Sequence, residues 1–337
     1  GRTGADHRSY FGRSKKTALE NNEEKGYTMV NGIINVYKEK GYTSFDVVAK
    51  LRGIFKQKKI GHTGTLDPDA EGVLPVCLGK ATKVCDLLTD KSKEYEAVLL
   101  LGTATDTEDI TGTVLEKKDV LVTEDETRQA ILSFVGDYMQ IPPMYSALKV
   151  NGKKLCDLAR EGKIIERQAR CVRIFSIDIL ETALPRVRMR VHCSKGTYIR
   201  TLCKDIGEKL GCGGCMESLL RTRVSEFALE DALKIGQVEE LVHNATDGTD
   251  PSMWDRSLFP FVKSVDSVFL EYQKAVVSRQ YAKVLYNGNR IEPSMIQAYE
   301  SSMEQKPIRI YDEKDHFIGI YEFQKDRGNF KPVKVFM

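Results

Sequence analysis

The chain has 337 residues, 29% of them charged and 41% hydrophobic, with a net charge of +3 and a pI near 8.3. That is an ordinary globular composition, and the length admits two domains with a core large enough to exclude water. No run approaches the ~18 consecutive apolar residues of a membrane helix, and no apolar secretory core opens the chain, so a cytoplasmic protein with no membrane role is expected.

Residues 1–28 are polar and weakly patterned, and Met29 directly precedes an apolar run. They are expected to be a disordered extension, a cloning remnant or read-through from an upstream start. Val30 to Tyr37 reads as a strand. Ser44 can cap a helix to about Gln57, with Phe45, Val48, Leu51 and Phe55 on one face. Lys50, Arg52, Lys56, Lys58 and Lys59 then crowd into ten residues, a patch suited to phosphates or simply a solvated face.

Lys93 to Leu101 reads as a strand ended by Gly102. Thr123 and Glu126 form a capping box for a helix. A second basic group comprises Lys149, Lys153, Lys154, Arg160 and Lys163. Strands are expected at 171–180 and at Val187 to His192. Gly196 breaks the pattern, a helix runs from about Thr197 to Leu210, and Gly211 to Gly214 stop it. An acidic, loop-rich connection with the sole tryptophan, Trp254, spans about 235–265. Short strands at 282–286, 307–311, 317–323 and 332–336, with an Asn287-Gly288-Asn289 turn, suit a small β module. The expected organisation is an extension at 1–28, a main domain at 29–265 and a β module at 266–337.

Eight scattered cysteines favour reduced thiols over a disulfide framework. Cys212 and Cys215 make one CxxC, whereas a structural zinc usually needs a second ligand pair. His192 and Cys193 could supply one, in no standard spacing.

The stretch 61–72, GHTGTLDPDAEG, packs three glycines, a histidine and three acidic residues into a tight bend. An EF-hand counted from Asp67 would need a glutamate where Leu78 stands, and the intervening run is apolar. A P-loop ending at Gly79-Lys80 would need glycine in place of Leu74 and Ser or Thr in place of Ala81. Two readings survive. One is a structural turn, built by Asp-Pro and the glycines. The other is the seat of a carboxylate nucleophile, for which Gly61 and Gly64 allow close approach and Pro68 stiffens the residue beside Asp67.

The segment GHTGTLDPDAEGVLPVCLGKATK at 61–83 closely resembles the signature of TruB-type tRNA pseudouridine synthases. Four more blocks agree in order: KEYEAVLLLGTATDTEDITG at 93–112, IPPMYSALKVNGKKLCDLAREG at 141–162, VHCSKGTYIRTLCKDIGEKLGCGG at 191–214 and SLLRTRVSEF at 218–227. The resemblance covers roughly 30–325. It implies that Asp67 is the catalytic aspartate and that Tyr95 stacks on the target base and is placed for proton transfer. It implies that His62 helps hold the flipped nucleotide or the RNA loop, that Tyr198 lines the pocket, that Arg200 pairs with Asp67, and that Leu219 is an apolar pocket wall. Without it, Tyr95 reads first as a core aromatic on a strand, and Arg200 equally as a surface arginine at a helix start. An arginine beside Asp67 would favour its ionised form. The family's early Lys-Pro-x-Gly-x-Thr-Ser element here carries Glu39 in place of proline, which is expected to loosen the turn while Lys38, Gly41, Thr43 and Ser44 remain.

The fold implied is α+β: a mixed, largely antiparallel central sheet flanked by helices, with a PUA-like C-terminal module that binds RNA. The activity implied is conversion of uridine, conventionally position 55 in the T loop of tRNAs, to pseudouridine after base flipping, with no cofactor and no metal. The partner is tRNA, through its T arm, gripped in part by Lys38 and by Lys149, Lys153 and Lys154, and a monomer is expected. Two rivals stand beside this reading: an RNA chaperone that folds tRNA without chemistry, a role that can coexist with the enzyme, and a zinc protein built on Cys212 and Cys215.

Overall fold

The computed structural model describes residues 29–336; the extension expected at 1–28 lies outside the described residues. Strand β1 (Gly32–Lys38) is buried along almost its whole length. Helix α1 (Ser44–Ile54) follows, and its N-cap is Thr43 rather than Ser44. The Thr43 side chain accepts from the Asp46 N–H while the Asp46 carboxylate accepts from the Thr43 N–H. The helix buries Ser44, Val47, Val48 and Leu51, a 3.6-residue stripe. Phe45, expected on that face, is exposed, because Val47 and Val48 already fill the stripe.

Strands β2 (Ile60–His62) and β3 (Glu71–Leu78) bracket the bent loop, and the apolar run after Gly72 is β3 itself. Helix α2 (Cys85–Thr89) leads to β4 (Lys93–Leu101), which alternates between buried and half-buried positions. A small hairpin, β5 (Thr103–Thr105) with β6 (Val114–Lys117), precedes α3 (Glu124–Leu132), which carries the expected capping box, and β7 (Gly136–Gln140). Then come the hairpin β8 (Lys149–Val150) and β9 (Lys153–Lys154), α4 (Leu155–Arg160), β10 (Arg170–Ala183), β11 (Arg186–Cys193), α5 (Ile199–Lys209) and β12 (Gly214–Val224).

After β13 (Phe227–Ala228) and β14 (Leu233–Lys234) stands α6 (Ile235–Thr246), where a loop-rich connection was expected. Its buried Ile235, Val238 and Val242 recur at helical spacing; the acidic exposed face, with Glu239 and Glu240, masked them. The chain continues through β15 (Val262–Lys263), β16 (Lys274–Val277), α7 (Ala282–Tyr286), β17 (Ile296–Gln297), β18 (Ile308–Tyr311), β19 (Phe317–Gln324) and β20 (Asn329–Val335). The segment 282–286 is therefore helix, not strand. An apolar run of five residues carries no periodicity that separates the two.

The strands form an 11-stranded sheet whose main path runs β14-β1-β3-β12-β4-β11-β10-β7. It is mixed and mostly antiparallel, with parallel pairs at β1–β14 and β3–β12. Helices α1 and α6 cover one part of it around Val48, Leu51, Val238 and Val242; α5 packs Leu202 and Ile206 against Leu99 and Met189 in another. A 5-stranded sheet, β17-β16-β18-β19-β20, forms the C-terminal β module. Val268, Phe269, Ile320 and Phe336 seat it against Ile33, Val73 and Phe227 of the main domain.

The parallel β3–β12 contact depends on Gly72, at φ +106°, where a Cβ would stand 2.2 Å from the Arg221 carbonyl oxygen. Gly72→Ala is expected to cost about 1–3 kcal/mol from the backbone conformation alone, with the clash in addition. Gly53→Ala, in open space on α1, should instead stabilise by about 0.5–1 kcal/mol. Thermal denaturation followed by circular dichroism checks both signs; a Gly72→Ala variant as stable as the parent would contradict this account of the crossing.

Candidate active site

The bent loop hangs between β2 and β3 with little regular structure, so side chains must hold its backbone. The Ser44 hydroxyl accepts from the Leu66 N–H at 2.9 Å and donates to the Leu66 carbonyl at 3.3 Å. The Pro68 carbonyl accepts from the Lys38 ammonium at 3.0 Å and from the Gly41 N–H at 2.9 Å. Lys38 also donates to the Glu39 and Tyr42 carbonyls. From the far side Arg221 donates to the carbonyls of Gly64, Thr65 and Val73. Asp67, between these tethers, is left facing a cavity of about 690 Å³.

The cavity brings together residues far apart in sequence. Asp67, Tyr95, Tyr198, Arg200 and Leu219 all line it, with Arg221. Tyr95 is on the central strand β4. Tyr198 caps α5, its backbone held at both ends by the buried Gln140 side chain, at 2.8 Å to the N–H and 3.0 Å to the carbonyl. Arg200, one residue into α5, is 6% exposed. Its Nε stands 2.9 Å from Asp67 Oδ2, and its Nη2 donates to Asp67 Oδ1 at 3.4 Å. The same guanidinium donates to the Thr107 carbonyl at 3.0 Å and the Tyr145 carbonyl at 2.7 Å. Asp109 lies 3.9 Å away.

His62 belongs to the same loop but stands outside the cavity wall; its Nδ1 accepts from the Gly64 N–H at 3.3 Å. Lys38 is fully buried beneath the loop and ties down the Pro68 backbone beside Asp67. Lys149, Lys153 and Lys154 are exposed on the β8–β9 hairpin. Lys149 and Lys154 are cross-strand partners and share a face, while Lys153, opposite Val150, takes the other. Cys212 and Cys215 are buried. His192 and Cys193, adjacent on a strand, point to opposite faces and cannot together complete a zinc site. Among the described residues no three His, Cys, Asp or Glu side chains are grouped as a metal would require.

The sequence reading passed over several cavity residues, Arg221 and Lys93 among them. Arg221 shares a strand face with Leu219 by simple alternation, a signal present in the sequence. Lys93, 7% exposed, donates to the Thr89 and Lys91 carbonyls; it shares the buried face of β4 with Tyr95 by the same alternation.

Residues 52–199 match the TruB family pseudouridylate synthase N-terminal domain, and residues 200–269 match the tRNA pseudouridylate synthase B C-terminal domain. A tRNA pseudouridine synthase B from Lachnoclostridium phytofermentans is 56% identical over 319 residues, 91% of this chain and 100% of that protein. One from Alkaliphilus oremlandii is 46% identical, covering 91% and 97%. Among solved structures, an H/ACA RNP bound to a substrate RNA containing 2′-deoxyuridine superposes with a TM-score of 0.67 at 25% identity, covering 91% of this chain and 85% of that one. A Cbf5–Nop10–Gar1 complex gives a TM-score of 0.67 at 27% identity with the same coverage.

Arg200 favours the ionised form of Asp67 as expected, but burial adds a larger opposing effect. Burial pushes the Asp67 carboxyl above the ordinary carboxylate range; Arg200 opposes that shift without cancelling it, and Asp109 adds to it. The Asp67 side chain is still 40% exposed through the cavity mouth, so water moderates the effect. Burial also raises Tyr95, which keeps its phenol protonated near neutral pH. It lowers His62, which is then neutral, and pushes Lys38 and Lys93 each down to about 8. Because Arg200 favours the ionised carboxylate, Arg200→Gln should move the Asp67 titration further upward. Carbon-13 NMR of labelled aspartate across a pH series measures this. A midpoint at or below the ordinary value of about 3.9 in the parent protein, or no upward move in the variant, would contradict the burial argument.

Proposed function

This chain belongs to the TruB family of tRNA pseudouridine synthases, and from that membership we propose that it isomerises uridine 55 in the T loop of tRNAs, with Asp67 initiating the reaction. The observation that carries this reading is the Asp67–Arg200 pair at the wall of a cavity flanked by Tyr95, Tyr198 and Leu219. A uracil stacked inside a folded loop must be flipped out to reach such a cavity. The Tyr95 ring offers it a stacking face, and Leu219 an apolar wall. The bond from C1′ to N1 breaks, the uracil rotates, and a bond from C1′ to C5 forms; the C5 proton is lost and N1 gains one. Every atom and electron is conserved, so the chemistry calls for no cofactor. Asp67 begins it by attacking the base or the sugar, or by abstracting a sugar proton. Tyr95 can relay the protons: it passes its phenolic proton on toward N1 or solvent and takes up the C5 proton, which restores the phenol.

A bound base displaces the water that still reaches Asp67, which strengthens the attraction of Arg200 for the developing charges. The domain from 29 to 265 carries this site, and the β module from 266, PUA-like in the family, supplies further RNA contact. His62 steadies the flipped nucleotide or the RNA loop from its place beside Gly64. The β8–β9 hairpin lies on the segment whose Tyr145 is tied to Arg200, so an RNA arm gripped there bears on the catalytic arginine. We place the enzyme in the cytoplasm as a monomer acting on the T arm.

With an unmodified tRNA transcript, wild type should yield pseudouridine and Asp67→Asn none, while both retain tRNA binding. Equal product from both would move the chemistry to another residue. Retained refolding of misfolded tRNA by Asp67→Asn would add a chaperone role that needs no chemistry. Reversing Lys149 and Lys154 to glutamate should weaken tRNA binding and reduce its salt dependence by about one unit of log–log slope for each phosphate no longer neutralised, with Lys153→Glu alone doing less. Titrations at several salt concentrations measure this, and unchanged slopes would remove the hairpin from the interface.

A further inference from the structure

The catalytic reading leaves one pair of reactive side chains unused. Strands β2 and β3 pair antiparallel with Gly61 opposite Cys77, and cross-strand partners project on the same face. A Cβ on Gly61 would stand 3.5 Å from the Cys85 sulfur. The space that Gly61 leaves empty thus holds the Cys85 thiol directly beside Cys77. Cys77 is wholly buried in β3, and Cys85 is half-buried at the start of α2.

We propose that Cys77 and Cys85 form a peroxide-oxidisable dithiol whose closure to a disulfide slows catalysis. The two have distinct roles. Cys77 donates toward Cys85, which holds the Cys85 thiol below its ordinary range and Cys77 well above it. Cys85 is also the one that solvent reaches. Its thiolate attacks the O–O bond of hydrogen peroxide, giving a sulfenic acid and, after proton transfer, water. The Cys77 sulfur then attacks the sulfenic sulfur and a second water leaves. Two thiols and one peroxide become one disulfide and two waters, with two electrons passing to the peroxide. Cys193 and Cys215, pushed up to about 12 and about 11 by burial, are poor competitors.

The link to catalysis runs through α2, which is five residues long. Its last residue, Thr89, donates to the Thr63 carbonyl at 2.9 Å, at the root of the Asp67 loop. The Thr89 carbonyl takes the Lys93 ammonium of the cavity wall. Just before the helix Lys83 donates to the Val335 carbonyl, and within its first turn Asp86 pairs with Lys334 at 2.7 Å. Drawing the two sulfurs to a bond length of about 2.05 Å pulls the start of this helix toward β3 and shifts Thr89 with it.

The catalytic half of the proposal rests on the function proposed above; the cross-link does not. The full-length protein is treated with hydrogen peroxide, alkylated, digested with trypsin without reduction, and assayed on a tRNA transcript before and after dithiothreitol. The expected result is a disulfide joining peptides 60–80 and 84–91 and a loss of about tenfold or more in rate, since a ~1 Å misplacement can cost about 100-fold. Dithiothreitol should restore the rate. Cys85→Ser should keep the basal rate and lose peroxide sensitivity. Absence of the 60–80/84–91 cross-link, or Cys85 recovered as sulfinic acid with Cys77 free, overturns the dithiol. A complete cross-link with an unchanged rate overturns its control of catalysis. Reduced protein inactive on tRNA would overturn the proposed function, while the peptide map would still decide the dithiol.

Discussion

The buried guanidinium of Arg200 is the interaction on which the site depends. It meets Asp67 in the bent loop, the Thr107 carbonyl after β5 and the Tyr145 carbonyl in the segment leading to the β8–β9 hairpin. A buried cation is tolerated only when its donors are satisfied. Each of these acceptors belongs to a different segment, so satisfying Arg200 forces the three to converge. Placing Arg200 at the start of α5 fixes it further, because the Gln140 side chain holds the Tyr198 backbone immediately before it.

The Asp67 loop illustrates a second constraint. It has no ladder of its own, and its carbonyls would be left without donors in a partly buried place. Ser44, Lys38 and Arg221 supply those donors from α1, β1 and β12. This explains why glutamate is tolerated at position 39. The turn from Lys38 to Ser44 is held by the lysine's three carbonyl contacts and by the Gly41 N–H on Pro68, so proline's rigidity is not what shapes it. The loop keeps its bend because its neighbours over-determine it, and Asp67 can then be held partly desolvated beside Arg200.

The C-terminal module joins this frame mainly through apolar contact. Val268, Phe269, Ile320 and Phe336 share a core with Ile33, Val73 and Phe227, and burial of such side chains contributes about 1.5–3 kcal/mol each. The rim pairs, Lys91 with Glu271 and Lys334 with Asp86, are exposed and contribute about 0–1 kcal/mol each. They fix orientation rather than supply the attraction. Helix α2 lies between that rim and the loop, so its few residues touch both the module and the Asp67 loop.

The sequence by itself determined much of this protein. The apolar run closed by Gly102 gave β4 to the residue, the Thr123–Glu126 box gave α3, and the ordered blocks carried the family and, through it, Asp67, Tyr95, Tyr198, Arg200 and Leu219, all of which the fold gathers at one cavity. Those signals are local, because a period or a cap is written in neighbouring residues. The tertiary structure alone decided the rest. Ser44 serves the loop and leaves the cap to Thr43. Lys38 lies buried beneath the site, and α1 and α6 come to share one apolar cluster. Burial outweighs Arg200 in setting the Asp67 carboxyl. Each of these depends on what stands across a gap of many residues, and desolvation and hydrogen-bond satisfaction are properties of that surrounding rather than of the chain that enters it.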